Sequence, residues 1–309
     1  MAFEEEEKPT YVDDQYAIGL STQISTVLSL FGKRISAYIG IMMVPVIYSF
    51  IYSAIIYLVF GEEMLLYIGY LGSEPVSFIY GAYLLQSESI PAGAYVPYVG
   101  VGGVLMLIGF VLNLLALGAA ISIALRTYTG QDSSMGSAFG SALERFPTLL
   151  VVALIIGSIY AVIMVPIQES LVSILDAMMV MDLDAMTQAS STLLVLAIVY
   201  IVVVTFFYPN TAVVMAEDLG AGSSISRTFS ITRSNFLHTL GGIILFHIIM
   251  IVITIVIELG LVLLLGSLLT SLIAPFASML LITPLTYIYQ GVLYKDLAAR
   301  TVQTKQEYW

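Results

Sequence analysis

Few residues of this 309-residue chain combine a reactive side chain with a position inside an apolar stretch. His247 lies near the middle of the fifth apolar stretch, and Asn113 and Gln290 lie inside two others. An ionisable side chain within a membrane is unfavourable, so it can mark a proton relay or a substrate pathway. A neutral imidazole or amide can equally hydrogen-bond between two helices. The sequence leaves both interpretations open for His247, Asn113 and Gln290, the candidate intramembrane polar site.

Motifs typical of catalysis are missing from the sequence. It has two histidines, no cysteine, and no zinc-helix motif, nucleophile elbow or phosphate loop. One segment, which we call the methionine-rich segment, has Met178, Met179, Met181 and Met186 among Asp176, Asp182 and Asp184. Methionine is a soft ligand for copper, whereas aspartate suits hard cations. An interfacial helix with methionine as adaptable filler explains this segment better. We therefore expect no enzyme activity, no cofactor and no metal site.

The composition predicts an integral membrane protein. Hydrophobic residues make up 59% of the chain and charged residues 10%, against about 25% charged residues in soluble domains. The mean hydropathy is +0.99. The formal net charge of −11 argues against nucleic acid as a partner.

Six stretches are long enough to cross a bilayer as helices. We predict them at residues 35–60, 99–125, 146–167, 192–215, 237–265 and 274–293, with an uncertain junction between the last two. All ten Lys and Arg residues lie in the N-terminal segment, in the second and fourth loops, or in the C-terminal tail. Since cytoplasmic loops attract Lys and Arg, both termini are expected to be cytoplasmic.

The sequence also contains an internal repeat. Residues 133–150 align without a gap to residues 223–240, and both segments place apolar residues on one face of a helix. The same spacing occurs before the first span, where Ser21 and Thr22 are positioned as helix caps. The three stripes are Ile24, Leu28, Phe31, Ile35; Met135, Phe139, Ala142, Phe146; and Ile225, Phe229, Thr232, Phe236.

These patterns predict an all-α polytopic membrane domain at residues 20–300. It comprises three parallel repeats (about 20–127, 131–215 and 221–295), each an amphipathic helix followed by two spans, as in some transporters. Tails at 1–19, which is acidic, and 301–309 flank the domain. The bilayer itself and anionic headgroups are expected partners of the amphipathic helices. The candidate headgroup contacts are Lys33, Arg34, Arg145, Arg227 and Arg233, although Arg227 and Arg233 could pair with Glu217 and Asp218 instead.

Two stretches carry a family resemblance: residues 213–220 continuing through 226–236, and residues 291–300. An acidic residue and a glycine precede a Ser/Arg-rich helix that ends in Asn235-Phe236, and Gly291 to Arg300 form a closing segment. They resemble the six-span membrane domain of glycerophosphoryl diester phosphodiesterases and related uncharacterised membrane proteins of bacteria and archaea. The resemblance implies a membrane module in the plasma membrane of a prokaryote. The hydrolase barrel of that family does not fit in this chain.

The sequence favours a non-enzymatic scaffold or accessory subunit of a membrane assembly, with a membrane-protein partner or as a homo-oligomer. The first outer loop, at residues 61–97, is unusually apolar and adds a docking surface. The alternative is a transporter or channel for a lipid or a small neutral substrate, along the interface between repeats. The near absence of charge inside the spans disfavours an ion-coupled transporter.

Overall fold

The computed structural model describes residues 17–60 and 102–307, and in these residues all regular structure is helical. Residues 1–16 of the acidic tail and the apolar loop at 61–97 lie outside the described residues. The helices are α1 (Leu20–Lys33), α2 (Ile35–Phe60), α3 (Gly103–Tyr128), α4 (Met135–Glu144), α5 (Phe146–Met179), α6 (Leu183–Phe207), α7 (Asn210–Ala216), α8 (Ala221–Arg233) and α9 (Phe236–Glu307).

Within the described residues, six helical segments are long and apolar enough to cross a membrane, which agrees with the predicted number of spans. We number them spans 1 to 6: Ile35–Ile55, Gly103–Tyr128, Phe146–Met179, Leu183–Ala216, Phe236–Gly266 and Ile273–Val302. Spans 3 and 4 are longer than predicted, because their helices continue through the methionine-rich segment to a tight turn. That segment therefore continues the helices α5 and α6 and is not a separate interfacial helix.

Local chemistry sets the breaks within two of these spans. Span 4 is interrupted between α6 and α7, where Pro209 has φ −84° and ψ 13° and lacks a backbone donor. A proline within a helix commonly produces such a kink. Spans 5 and 6 separate at Gly266, whose φ of 76° and ψ of 166° fall in a region essentially restricted to glycine.

Charged contacts bring the loops beside the short helices together at one end of the bundle. Arg34 pairs with Asp132 in the loop after span 2, and Arg145 contacts Asp218 after span 4. Ile18, before α1, is hydrogen-bonded to Asp296 near the end of span 6. We call this the basic end, and the opposite end, which contains the α5–α6 turn, the distal end.

Most of the buried core lies in the half of the bundle next to the basic end. Span 2 is its central helix, since its residues 118–125 are buried all around and it packs against α2, α7 and α9. Small residues also permit a close approach of α4 and α5: a Cβ on Gly118 would lie 3.1 Å from Leu149 Cδ1 and 3.2 Å from Ala142 Cβ. Close contact through small residues is the common way for membrane helices to pack without a hydrophobic driving force.

The buried face of the short helices overlaps the predicted stripes only in part, since the stripe residues Ala142 and Thr232 are fully buried. Val27, Ala138 and Thr228 are fully buried, each one residue before a predicted stripe position. Stripe residues Leu28 and Phe229 are exposed instead. The face against the spans requires small side chains and local hydrogen bonds, so the most apolar face does not identify it. The predicted caps are also wrong: Gly19 is the N-cap of α1, and Ser21 and Thr22 lie inside the helix.

Candidate functional site

The first polar cluster lies where the N-terminal helix meets the last span. The side chain of Asp296 is fully buried. Its Oδ1 accepts a hydrogen bond from the backbone N–H of Ile18 at 2.7 Å, and its Oδ2 accepts one from Gln23 Nε2 at 2.9 Å. The Nε2 atom of His238 lies 2.7 Å from Oδ2, and Arg300 Nε donates to both oxygens at 3.1 and 3.0 Å. We call these five residues the Asp296 cluster.

Each of these neighbours of the Asp296 carboxylate acts as a donor. The imidazole of His238 must therefore carry a hydrogen on Nε2. Arg300 also donates from Nη2 to the carbonyl oxygen of Ile18 at 2.7 Å. A buried carboxylate is tolerated when it is paired and hydrogen-bonded, and bonds between charged groups are the stronger kind. The Asp296 cluster thus joins the N-terminal side of α1 to span 6.

A second cluster surrounds the turn between α7 and α8. Glu217 Oε1 accepts from Arg227 Nε and from the hydroxyl of Tyr294, both at 3.0 Å. Arg145, at the junction of α4 and α5, donates to the carbonyl oxygen of Glu217 and, at 2.8 Å, to that of Val214. We call these five residues the Glu217 cluster, and it ties α8, span 3, span 4 and span 6 together.

The two junction arginines have matching roles. Arg34 directly precedes span 1 and pairs with Asp132 in the loop after span 2. Arg145 directly precedes span 3, and besides its carbonyl contacts it lies 3.8 Å from Asp218 after span 4. In each case an arginine between a short helix and its first span contacts the loop that leaves the second span. These guanidinium groups therefore act in structural contacts within the chain.

The structure places the five basic candidates in two groups. Arg34, Arg145 and Arg227 make the contacts described above, so the pairing of Arg227 with Glu217 is confirmed. Lys33 and Arg233 are exposed. The suggested pairing of Arg233 with Glu217 or Asp218 is wrong, because Arg233 forms no ion pair with any described residue and the two acids contact Arg227 and Arg145 instead.

The intramembrane candidates do not form one site in the described residues. The ring of His247 donates from Nδ1 to the Ile243 carbonyl of its own helix at 2.8 Å, and the residue is exposed. Asn113 Nδ2 likewise donates to the Gly109 carbonyl at 3.0 Å. Gln290 has a buried Oε1 atom without a described hydrogen-bond partner. No hydrogen bond links these three side chains to one another.

Aromatic rings surround His247 on the side of the core. Tyr208 and Phe246 contact the imidazole edge-on, with centroid distances of 5.8 and 5.7 Å. Tyr289 stacks on Phe246 at 4.1 Å. The hydroxyl groups of Tyr208 and Tyr289 are buried and have no partner among the described residues. These rings form a mid-span layer at the distal side of the buried core.

Sequence reasoning missed the Asp296 cluster. Asp296 and Arg300 stand four residues apart on a helix, a spacing that brings side chains together, and His238 lies just inside span 5. The contacts with Ile18 and Gln23 span more than 270 positions of the chain. From the sequence, only the pair of Asp296 and Arg300 could be detected, and by itself this pair resembles an ordinary ion pair on the surface of a helix.

No group of three or more His, Cys, Asp or Glu side chains in the described residues has the arrangement of a metal site. In comparisons with known proteins, no family model, curated protein or solved structure matches this chain. The resemblance to the membrane domain of glycerophosphoryl diester phosphodiesterases is neither supported nor contradicted by them and stays a prediction.

Proposed function

We propose that this protein is a non-enzymatic membrane scaffold or an accessory subunit of a membrane assembly. The observation that supports it is the use of the charged groups at the basic end. The Asp296 cluster and the Glu217 cluster employ their charges to fasten short helices and loops onto the spans. Charges used in this way favour a rigid docking platform over a polar substrate path.

The proposal includes three parallel repeats of a short helix and two spans. Val27, Ala138 and Thr228 occupy matching buried positions on the three short helices, which supports equivalent docking. Arg34 and Arg145 have matching roles in the first two copies. The third copy has Asn235 at this position, and its side chain donates to the carbonyl oxygen of Ile231 at 3.1 Å.

We further propose that the basic end faces the cytoplasm of a prokaryotic cell. The absence of native cysteine makes this simple to test. Ser25→Cys on α1 and Asp182→Cys at the distal turn each introduce one exposed thiol. A membrane-impermeant maleimide applied to intact cells should label the cysteine at 182 and not the one at 25. The reverse pattern would refute the orientation.

Lys33 and Arg233 are the basic side chains we assign to anionic headgroups, because both are exposed at the ends of short helices. Exposed Leu28 and Phe229 on the same helices suit the adjacent acyl region. Native mass spectrometry in mixed phosphatidylglycerol and phosphatidylcholine should show less bound phosphatidylglycerol for the Lys33→Ala, Arg233→Ala variant. A Lys33→Arg, Arg233→Lys control keeps both charges and should retain the lipid.

The test of the scaffold function is the composition of the complex extracted gently from its native membrane. We expect other polypeptides in a fixed ratio to this chain. Extraction of the chain alone or as a homo-oligomer with bound lipid would argue against an accessory subunit. Composition is measured by the mass of the intact complex and identification of its components.

One observation favours the transport alternative. His247 is exposed although it lies at mid-span, and an imidazole facing acyl chains is unfavourable. A polar path beside span 5 would explain this exposure. Flux of lipid or a small neutral solute in liposomes, compared between the natural protein and His247→Ala, distinguishes the two functions. A flux that His247→Ala abolishes would replace the scaffold proposal.

A further inference from the structure

The hairpin of α5 and α6 is built from two segments of 34 residues each, more than the about 20 residues that cross a bilayer. The 34 residues of α5 measure about 51 Å at 1.5 Å per residue, against a hydrocarbon core of about 30 Å. If Arg145 marks the basic interface, about 20 residues cross the core, and the remaining turns project about 20 Å beyond it. Glu169 is the first charged residue of α5, and its place on the projecting part agrees with this position of the membrane.

The tip of this hairpin is apolar and strongly exposed. Met179 and Met181 are 76% and 87% exposed. Met178, Val180 and Leu183 are the other exposed apolar residues of the tip. A contiguous apolar patch in water marks an interaction surface, and methionine suits such surfaces because its flexible thioether adapts to its partner. The patch lies too far from the bilayer to be explained by contact with acyl chains.

The turn is ordered by its own hydrogen bonds. Asp182 Oδ1 caps α6 by accepting from the N–H groups of Asp184 and Ala185 at 3.1 and 3.0 Å. The N–H of Asp182 donates to the carbonyl of Ala177 at 2.9 Å. Between the helices, Met181 has a φ of 56°, a conformation that glycine adopts without strain and other residues adopt at a cost. Backbone strain of this kind is often found at functional sites, so the side chain of Met181 is a candidate for a role in binding.

The charges around the patch specify its partner. The described residues of this hairpin from 168 to 192 include four carboxylates, Glu169, Asp176, Asp182 and Asp184, and no Lys or Arg. A complementary surface has an apolar groove that receives the methionines and a rim of basic side chains. We propose that the tip, residues 178–183, docks into the apolar groove of a protein partner whose rim carries Lys or Arg. This inference rests on the proposed scaffold function and names its distal docking surface.

Photocrosslinking in the native membrane tests the tip directly. A photocrosslinking residue replaces Met179 in the full chain, and Leu263, 86% exposed in another segment at the distal end, is the matched control position. We expect one discrete protein adduct from 179 and none from 263, and the cross-linked partner peptide should be apolar with flanking Lys or Arg. An adduct with a second copy of this chain, an adduct with lipid only, or the same adduct from 263 would overturn the proposal.

A triple variant tests whether docking of the tip requires its carboxylates. Asp176→Asn, Asp182→Asn and Asp184→Asn together remove three carboxylates, and asparagine at 182 preserves the helix cap. Glu258→Gln removes an exposed carboxylate of span 5 and serves as the control. We expect the adduct yield from 179 to fall about tenfold in the triple variant and to stay unchanged in the control, with equal helicity by circular dichroism. An unchanged yield in the triple variant would refute the basic rim.

A third crosslinking position separates this inference from the scaffold function. Phe229 is exposed on α8 at the basic end. Protein adducts from 229 without any from 179 would leave the scaffold function standing and refute the tip. The absence of adducts from both positions, together with extraction of the chain alone, would refute both.

Discussion

Replacing Asp296 by asparagine removes the charge at the centre of the Asp296 cluster. The carboxylate accepts from Ile18, Gln23 and Arg300 at distances between 2.7 and 3.1 Å and also faces His238 Nε2. An amide keeps one acceptor oxygen but directs its NH₂ group at donors, and it leaves the guanidinium of Arg300 without its counter-charge. Loss of one partner of a buried ion pair destabilises by about 3 to 5 kcal/mol.

The expected loss of unfolding free energy lowers the midpoint of thermal unfolding. We take about 3 kcal/mol, because asparagine retains one oxygen. At about 2 to 4 °C per kcal/mol for a large domain, the midpoint should fall by about 6 to 12 °C. The assay is loss of helical circular dichroism on heating in detergent, since the single tryptophan makes fluorescence a poor probe.

Two further variants make the measurement decisive. His238→Ala removes one partner while Ile18, Gln23 and Arg300 remain, so its midpoint should fall by less than that of Asp296→Asn. Asp176→Asn changes an exposed carboxylate at the distal end and should leave the midpoint unchanged. A midpoint for Asp296→Asn within about 1 °C of the natural protein, less than the shift for about 1 kcal/mol, would refute the assigned role of the cluster.

The remaining predictions concern packing, pairing and strain, and each is read from the same melting curve. Gly118→Val should destabilise by about 1 to 3 kcal/mol through overpacking, whereas Gly157→Ala, with open space around it, should not. Arg227→Ala should lower the midpoint, and Arg233→Ala should not; equal effects would contradict the assigned pairing. Met181→Gly should raise stability by up to about 1 kcal/mol by relieving its positive φ, yet reduce the adduct from 179; loss of stability would argue against strain.

The prediction of six spans succeeded because each span satisfies its backbone hydrogen bonds internally, so length and apolar composition suffice to identify it. The apolar stripes of the short helices matched the buried face only in part, since Ala142 and Thr232 are buried as predicted. The structure buries Val27, Ala138 and Thr228 and leaves Leu28 and Phe229 exposed. Sequence periodicity locates an apolar face, but it does not distinguish a side that contacts protein from a side that contacts lipid, since both environments accept apolar residues.

The sequence by itself determined that the chain forms helices and that six segments of the described residues are long and apolar enough to cross a membrane, because length and apolar composition are local properties. The structure decided that the last two of these segments separate at Gly266. Only the tertiary structure decided what the charged residues do. Asp296 has its partners on α1 and span 5, and Glu217 has its partners on α8 and span 6 as well as at the start of span 3. Contacts between residues so far apart along the chain depend on how the helices pack, and no local pattern encodes that arrangement.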